Sequence, residues 1–369
     1  MAAPLSIAFF ASSLVSAYWN GAATYYRGMV RALSGLGHRI TFYEPDAYDR
    51  QAHRDIEDPE WATVVVYPAT EQGVFRSLEA AGGADLIIKA SGVGVFDALL
   101  ESEVLRLKRA GTQVVFWDVD APATLERIAG DPRDPFRALI PLYDMVLTYG
   151  GGDPIVRAYR RFGARDCIPI YNALDPDTHF PVPPAPRLKA DLSFLGNRLP
   201  DRERRVEEFF LSVAGKLPNR SFLLAGSGWQ DKERSENVRY LGHLGTGDHN
   251  AFNCSSRAVL NVSRDGMARN GFSPATRVFE AAGAGACMIT DRWDGIEQFF
   301  EPDREICVAD NGDQVAEILE RLTPSVAAAM GTRALARVRA HHTYAHRARQ
   351  FQKIFAAGPV RRAYLGGAP

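Results

Sequence analysis

The 369-residue chain contains no apolar run long enough to cross a bilayer as a helix, so membrane insertion is not indicated. Neither sign of charge prevails, since 43 Lys and Arg stand against 44 Asp and Glu for a formal net charge of -1. With no global field to gather nucleic acid or an anionic membrane, any anion must be recognised locally. Cysteine is scarce: Cys167, Cys254, Cys287 and Cys307 lie far apart without paired spacing, which argues against a disulfide framework or a cysteine metal site and for reduced thiols in a cytoplasmic setting. Basic residues are missing from the start, none preceding Arg27, so the apolar opening lacks the charged leader of a signal peptide and reads as a first strand, 6–11. His38, His53, His179, His243, His249, His341, His342 and His346 show no metal-ligand spacing. Complete glycine fingerprints are also absent. The run Ser91-Gly92-Val-Gly94-Val-Phe-Asp97 meets an aspartate where the third glycine belongs, and Gly226-Ser-Gly228 meets Asp231. A nicotinamide oxidoreductase is thereby disfavoured, and without a Walker-type loop so is a nucleotide hydrolase.

What is present is a hydrophobic content of 46%, enough for two cores in a chain of this length. Short apolar runs at 7–10, 39–43, 63–66, 86–89, 113–117, 145–148 and 167–170 alternate with helical patterns, which predicts a parallel sheet with helices on both faces. A proline-rich stretch, 180–189, reads as a linker. A second alternating series follows at 192–195, 221–225, 238–241, 258–262, 287–290 and 306–308. The expected architecture is α/β, with two Rossmann-like doubly wound domains facing across a cleft: 1–182, 188–345, and a terminal segment 346–369 crossing back to the first. Ligands of such sheets sit beyond the carboxyl ends of the strands.

Two such loops carry suitable chemistry. After the run 192–195 comes Gly196-Asn197-Arg198-Leu-Pro-Asp-Arg202 and then a helix. Glycine admits backbone amides to an anion and the two arginines pair with phosphate oxygens, so the loop suits a diphosphate clamp; it also fits a simple turn with solvated arginines. Further on, Ser273-Pro274 has the form of an N-cap followed by proline, opening a helix with Thr276, Arg277 and Glu280. Thr276 and Glu280 are four apart and Ser273, Arg277 and Glu280 lie on one stripe, and a carboxylate that accepts two sugar hydroxyls beside an amide-rich helix start suits a nucleotide's ribose and diphosphate. A capped core helix with an Arg277–Glu280 surface pair fits the same residues.

The run Arg277-Val-Phe-Glu-Ala-Ala-Gly-Ala-Gly-Ala with Thr290-Asp291, joined to Phe194-Leu-Gly-Asn197, Pro200-Asp-Arg202 and the late His342-Thr-Tyr344 and Arg347, resembles the CgeB-like spore-maturation glycosyltransferases, relatives of the GT-B superfamily. The likeness is specific over 191–351 and thinner in the first half, at Trp19-Asn-Gly-Ala-Ala-Thr-Tyr-Tyr-Arg27 and Lys89-Ala-Ser-Gly-Val-Gly-Val-Phe-Asp97. It implies transfer of a sugar from a nucleotide-diphosphate donor to a glycan, protein or small-molecule acceptor, without metal or bound cofactor. The donor would lie on the Gly196–Arg202 clamp and the Glu280 helix. Retaining members carry a second glutamate eight positions earlier, where this chain has Phe272, so a retaining outcome is not implied. The resemblance also points to Asn20 and Gly21, in the first strand-to-helix loop, for donor contact, although an ordinary turn fits them equally. Asp118 and Asp120 follow an apolar strand on the same side of an extended segment; Asp120 reads as a helix cap and Asp118 as the base that deprotonates the acceptor. Rival readings are a sugar-nucleotide epimerase on the same frame and a non-catalytic nucleotide-sugar binder.

Overall fold

A computed structural model of the chain describes residues 3–18 and 20–356. Trp19, which opens one of the resemblance runs, and residues 357–369 of the expected terminal segment lie outside them. The described chain divides into two compact units, the first made of residues up to Tyr171 together with those from Tyr344 onward, the second of Asn172–Thr343.

The first unit is built on strands β1 (Ser6–Phe10), β2 (Arg39–Asp46), β3 (Thr63–Pro68), β4 (Leu86–Ala90), β5 (Gln113–Asp118), β6 (Met145–Thr148) and β7 (Cys167–Pro169). All pair in parallel, in the order β3-β2-β1-β4-β5-β6-β7. The Ile, Val and Phe of β4 and β5 are buried regardless of which face they point to, the burial that a sheet covered by helices on both faces demands. The second unit has β8 (Ala190–Leu195), β9 (Phe222–Ala225), β10 (Val238–Tyr240), β11 (Ser256–Asn261), β12 (Met288–Asp291) and β13 (Cys307–Ala309). They form a parallel sheet in the order β10-β9-β8-β11-β12-β13. Each apolar run picked out in the sequence falls on one of these strands. The strand order reverses between β1 and β4, and again between β8 and β11, so the loops after those strands flank each sheet's switch point.

The proline-rich run is not the link between units. Residues 180–189 belong to the second unit, where the Val182 amide donates to Cys254 Sγ (3.4 Å), the Ala185 amide to Ser255 Oγ (2.8 Å), and Leu188 is fully buried. Proline removes donors and forbids a central strand, but the amides that remain are enough to anchor the run. The chain passes between units at Tyr171–Asn172 and at Thr343–Tyr344, which moves the first boundary back from the expected 182.

The helix Tyr344–Ala356 packs in the first unit against the helix Ala23–Gly35. A Cβ on Gly28 would meet Tyr344 Cδ2 at 2.1 Å, and the Tyr344 ring is itself buried beside Tyr25, with ring centroids 6.0 Å apart. Gly28→Ala is expected to lower the unfolding midpoint of the first unit, by overpacking of about 1–3 kcal/mol. Urea denaturation checks this, and an unchanged midpoint would show that the two helices part without loss.

Candidate functional site

In the second unit, β8 ends at Leu195 and its loop runs through residues 196–202 to a helical segment beginning at Glu203–Val206. A Cβ on Gly196 would stand 2.8 Å from the Arg202 guanidinium, so the glycine is what lets that side chain lie on the loop backbone. Arg202 donates to the Asn197 carbonyl (2.6 Å) and lies over the Phe194 ring, while its Nε is buried with no partner among the described residues. Burial, followed by repulsion from Arg277, pushes its pKa down to about 10. It therefore stays a cation at neutral pH, held at some cost. Burial also lowers the Arg277 pKa, opposed by Glu280, and Arg277 makes no ion pair among the described residues. Two guanidiniums held near each other without an ion-paired carboxylate are relieved by an anion placed between them.

The remaining clamp residues serve the loop. Arg198 is committed to Glu203 (2.7 Å) and Asp231 (2.9 Å), and Asn197 Oδ1 accepts from the Ser227 amide (2.9 Å).

Ser273 does not cap the next helix, which begins two residues later than the Ser-Pro pair suggests: it spans Thr276–Gly283 with Ala275 as N-cap. The reason is Asn172, whose Nδ2 donates to the Pro274 carbonyl (3.2 Å) and whose Oδ1 accepts from Thr276 Oγ1 (3.2 Å), bracing the preceding turn. Ser273 Oγ is left buried with no partner among the described residues. Glu280 forms no surface pair with Arg277. Its Oε1 stands 3.8 Å from His179 Nε2, and one donor atom each from His179, His249 and Glu280 lie within 4.8 Å of one another. Burial, opposed by Glu280 and aided by Arg277, keeps the His249 imidazole below its usual pKa. Sequence spacing missed this group because its members come from three separate segments, and no periodic signal links them.

In the first unit the candidate base is enclosed. Asp118 is 0% exposed, and its carboxylate accepts from Ser91 Oγ (2.7 Å), the Asp120 amide (3.0 Å), Thr124 Oγ1 (3.1 Å) and the Tyr159 hydroxyl. Burial pushes its carboxyl above the usual range, against the pull of those donors. Asp118 is thus what ties the loop after β5 to the helix Ala121–Gly130, the structural task expected of Asp120. Asp120 occupies the N-cap position without a side-chain cap bond and is half-buried. Asn20 is likewise engaged within its own loop, donating to the Ser13 and Ser16 carbonyls (2.9 and 3.0 Å) and accepting from Ser12 Oγ (3.0 Å), while Gly21 is exposed.

A family model described as "Glycosyl transferase-like" matches residues 202–353. No curated protein sequence matches the chain. Among solved structures, sucrose-phosphate synthase from Thermosynechococcus elongatus is similar at 14% identity and a TM-score of 0.69, covering 95% of this chain and 98% of that one. Anabaena HepE, solved with UDP and glucose, is similar at 14% identity and a TM-score of 0.67, over 95% and 99% of the two chains. An alpha-glucosyltransferase solved with UDP-glucose and DNA is similar at 12% identity and a TM-score of 0.71, again over 95% and 99%. The fold is therefore that of the GT-B glycosyltransferases, and residues 202–353 carry a glycosyltransferase-like sequence signature.

The two aspartates separate by experiment. Asp118→Asn is expected to destabilise the first unit by about 1–3 kcal/mol, since an amide cannot accept from all four donors, whereas Asp120→Asn, which removes no side-chain cap bond, is expected to cost less. Urea denaturation of both variants checks this; equal midpoints would remove the structural role from Asp118.

Proposed function

We propose that the chain is a glycosyltransferase that moves a sugar from a nucleotide-diphosphate donor to an acceptor hydroxyl, with its donor site in the second unit. The observation that carries this reading is the pair Arg202 and Arg277, two mutually repelling cations that make no ion pair among the described residues, with Glu280 one turn further along the Arg277 helix. They lie on the loop after β8 and on the helix that follows the β11 loop, the two flanks of the switch point. The diphosphate would rest on the two guanidiniums, the Glu280 carboxylate would accept the ribose hydroxyls, and the partnerless Ser273 hydroxyl would add a hydrogen bond.

As the bond from the anomeric carbon to the diphosphate oxygen breaks, negative charge gathers on the leaving group where the guanidiniums already stand. In this reading the transfer step itself needs no metal. The acceptor's proton passes to a carboxylate base; of the candidates Asp118 and Asp120, Asp118 is enclosed and Asp120 is half-buried. Assignment to the CgeB-like subfamily rests on the motif around Arg277 and Glu280, and a cytoplasmic setting on four cysteines that are all free. Because similar structures were solved with UDP, that nucleotide is the natural first probe.

Arg202→Ala and Glu280→Ala are each expected to weaken UDP binding by about 1.5–3 kcal/mol, roughly ten- to a hundredfold, with the melting temperature kept. Calorimetry on chelator-treated protein measures this. Parent affinity in both variants would move the donor elsewhere.

A further inference from the structure

We propose that His179, His249 and Glu280 form a three-ligand site for a divalent transition-metal ion of the zinc type, and that an ion bound there withdraws Glu280 from the nucleotide. The second half rests on the donor reading above; the first does not.

Three observations carry the metal site. The donors arrive on separate elements of the second unit: His179 ahead of the proline-rich run, His249 at the first turn of the helix His249–Ser255, and Glu280 in the helix Thr276–Gly283. Their donor atoms lie within 4.8 Å of one another, yet the His179 Nε2 to Glu280 Oε1 separation of 3.8 Å is too long for a hydrogen bond. Tetrahedral zinc, with bonds of roughly 2.0–2.1 Å, sets its ligand atoms about 3.3 Å apart, so a modest contraction closes the group around an ion. The third observation is the support behind one imidazole. His179 Nδ1 lies 2.9 Å from Thr178 Oγ1, which engages that nitrogen and leaves Nε2, the one nearest Glu280, for a ligand. Metal-binding histidines are held in this way.

Two imidazoles with one carboxylate select a transition ion over magnesium or calcium, which prefer oxygen. Arg277 acts on both His249 and Glu280, so a bound cation shares its carboxylate with a guanidinium. A carboxylate held by a metal no longer accepts ribose hydroxyls, so ion and nucleotide exclude each other, and by linkage each weakens the other equally.

Zinc titration by calorimetry, on chelator-stripped and nucleotide-free chain, tests the site, with His179→Gln and His249→Gln beside the parent. One ion per chain is expected, with affinity falling at least about tenfold in each variant while the zinc-free melting temperature holds. No stoichiometric binding, or equal affinity in parent and both variants, overturns the site. UDP affinity is then measured with and without zinc; His249→Gln reads out the zinc–UDP complex formed in solution. A zinc-dependent loss of at least about tenfold in the parent beyond that in the variant supports exclusion, and equal losses overturn it. A chain that takes up zinc but never binds UDP keeps the metal site and ends the donor reading instead.

Discussion

Arg202 and Arg277 repel each other, and neither makes an ion pair with a carboxylate among the described residues. The carboxylates of this region are engaged elsewhere: Glu203 and Asp231 by Arg198, Asp201 by Arg264 (2.6 Å), and Asp291 by Arg205 (2.6 Å). Every one of those pairings spares a cation that could otherwise have been neutralised within the chain. Gly196 contributes by omission, since any side chain there would push the Arg202 guanidinium off the loop. The half-exposed ion pairs nearby, those of Arg198 and Arg264, thus matter less for what they add to stability, which for such pairs is small, than for the charge they leave uncancelled.

Much of the fold was legible because burial on both faces leaves a direct mark. Strands such as β4 and β5 read as continuous apolar runs, and the punctuation between them reads as loops. Boundaries set by individual side chains were not legible. Ser273-Pro274 has the local grammar of a helix start, and only the distant Asn172, bracing Pro274 and Thr276, shifts that start to Thr276. The proline-rich run has the composition of a linker, and only its amides' bonds to Cys254 and Ser255 place it inside a unit. In both cases a long-range contact overruled a sound local signal.

The candidate site shows the same division. Residue type and place after a strand located the loops, since strand order fixes where each sheet opens. They did not distinguish a side chain that reaches for a ligand from one that holds the loop. Arg198 and Arg202 read alike in sequence, yet one is doubly paired and the other has a buried, partnerless nitrogen. Asp118 and Asp120 read alike too, until the hydroxyls of Ser91, Thr124 and Tyr159 converge on the first. The histidine group was out of reach altogether, as nothing in a linear pattern joins His179 to His249.

The helix Tyr344–Ala356 completes a unit whose other described residues all precede Asn172. On the ribosome the intervening segment, one continuous stretch with its own sheet, can close before that helix has been made. The earlier-synthesised unit waits meanwhile with the Gly28 face of its first helix uncovered. Order of completion is then the reverse of order of synthesis, and loss of the helix Tyr344–Ala356 injures the unit made first rather than the one made after it.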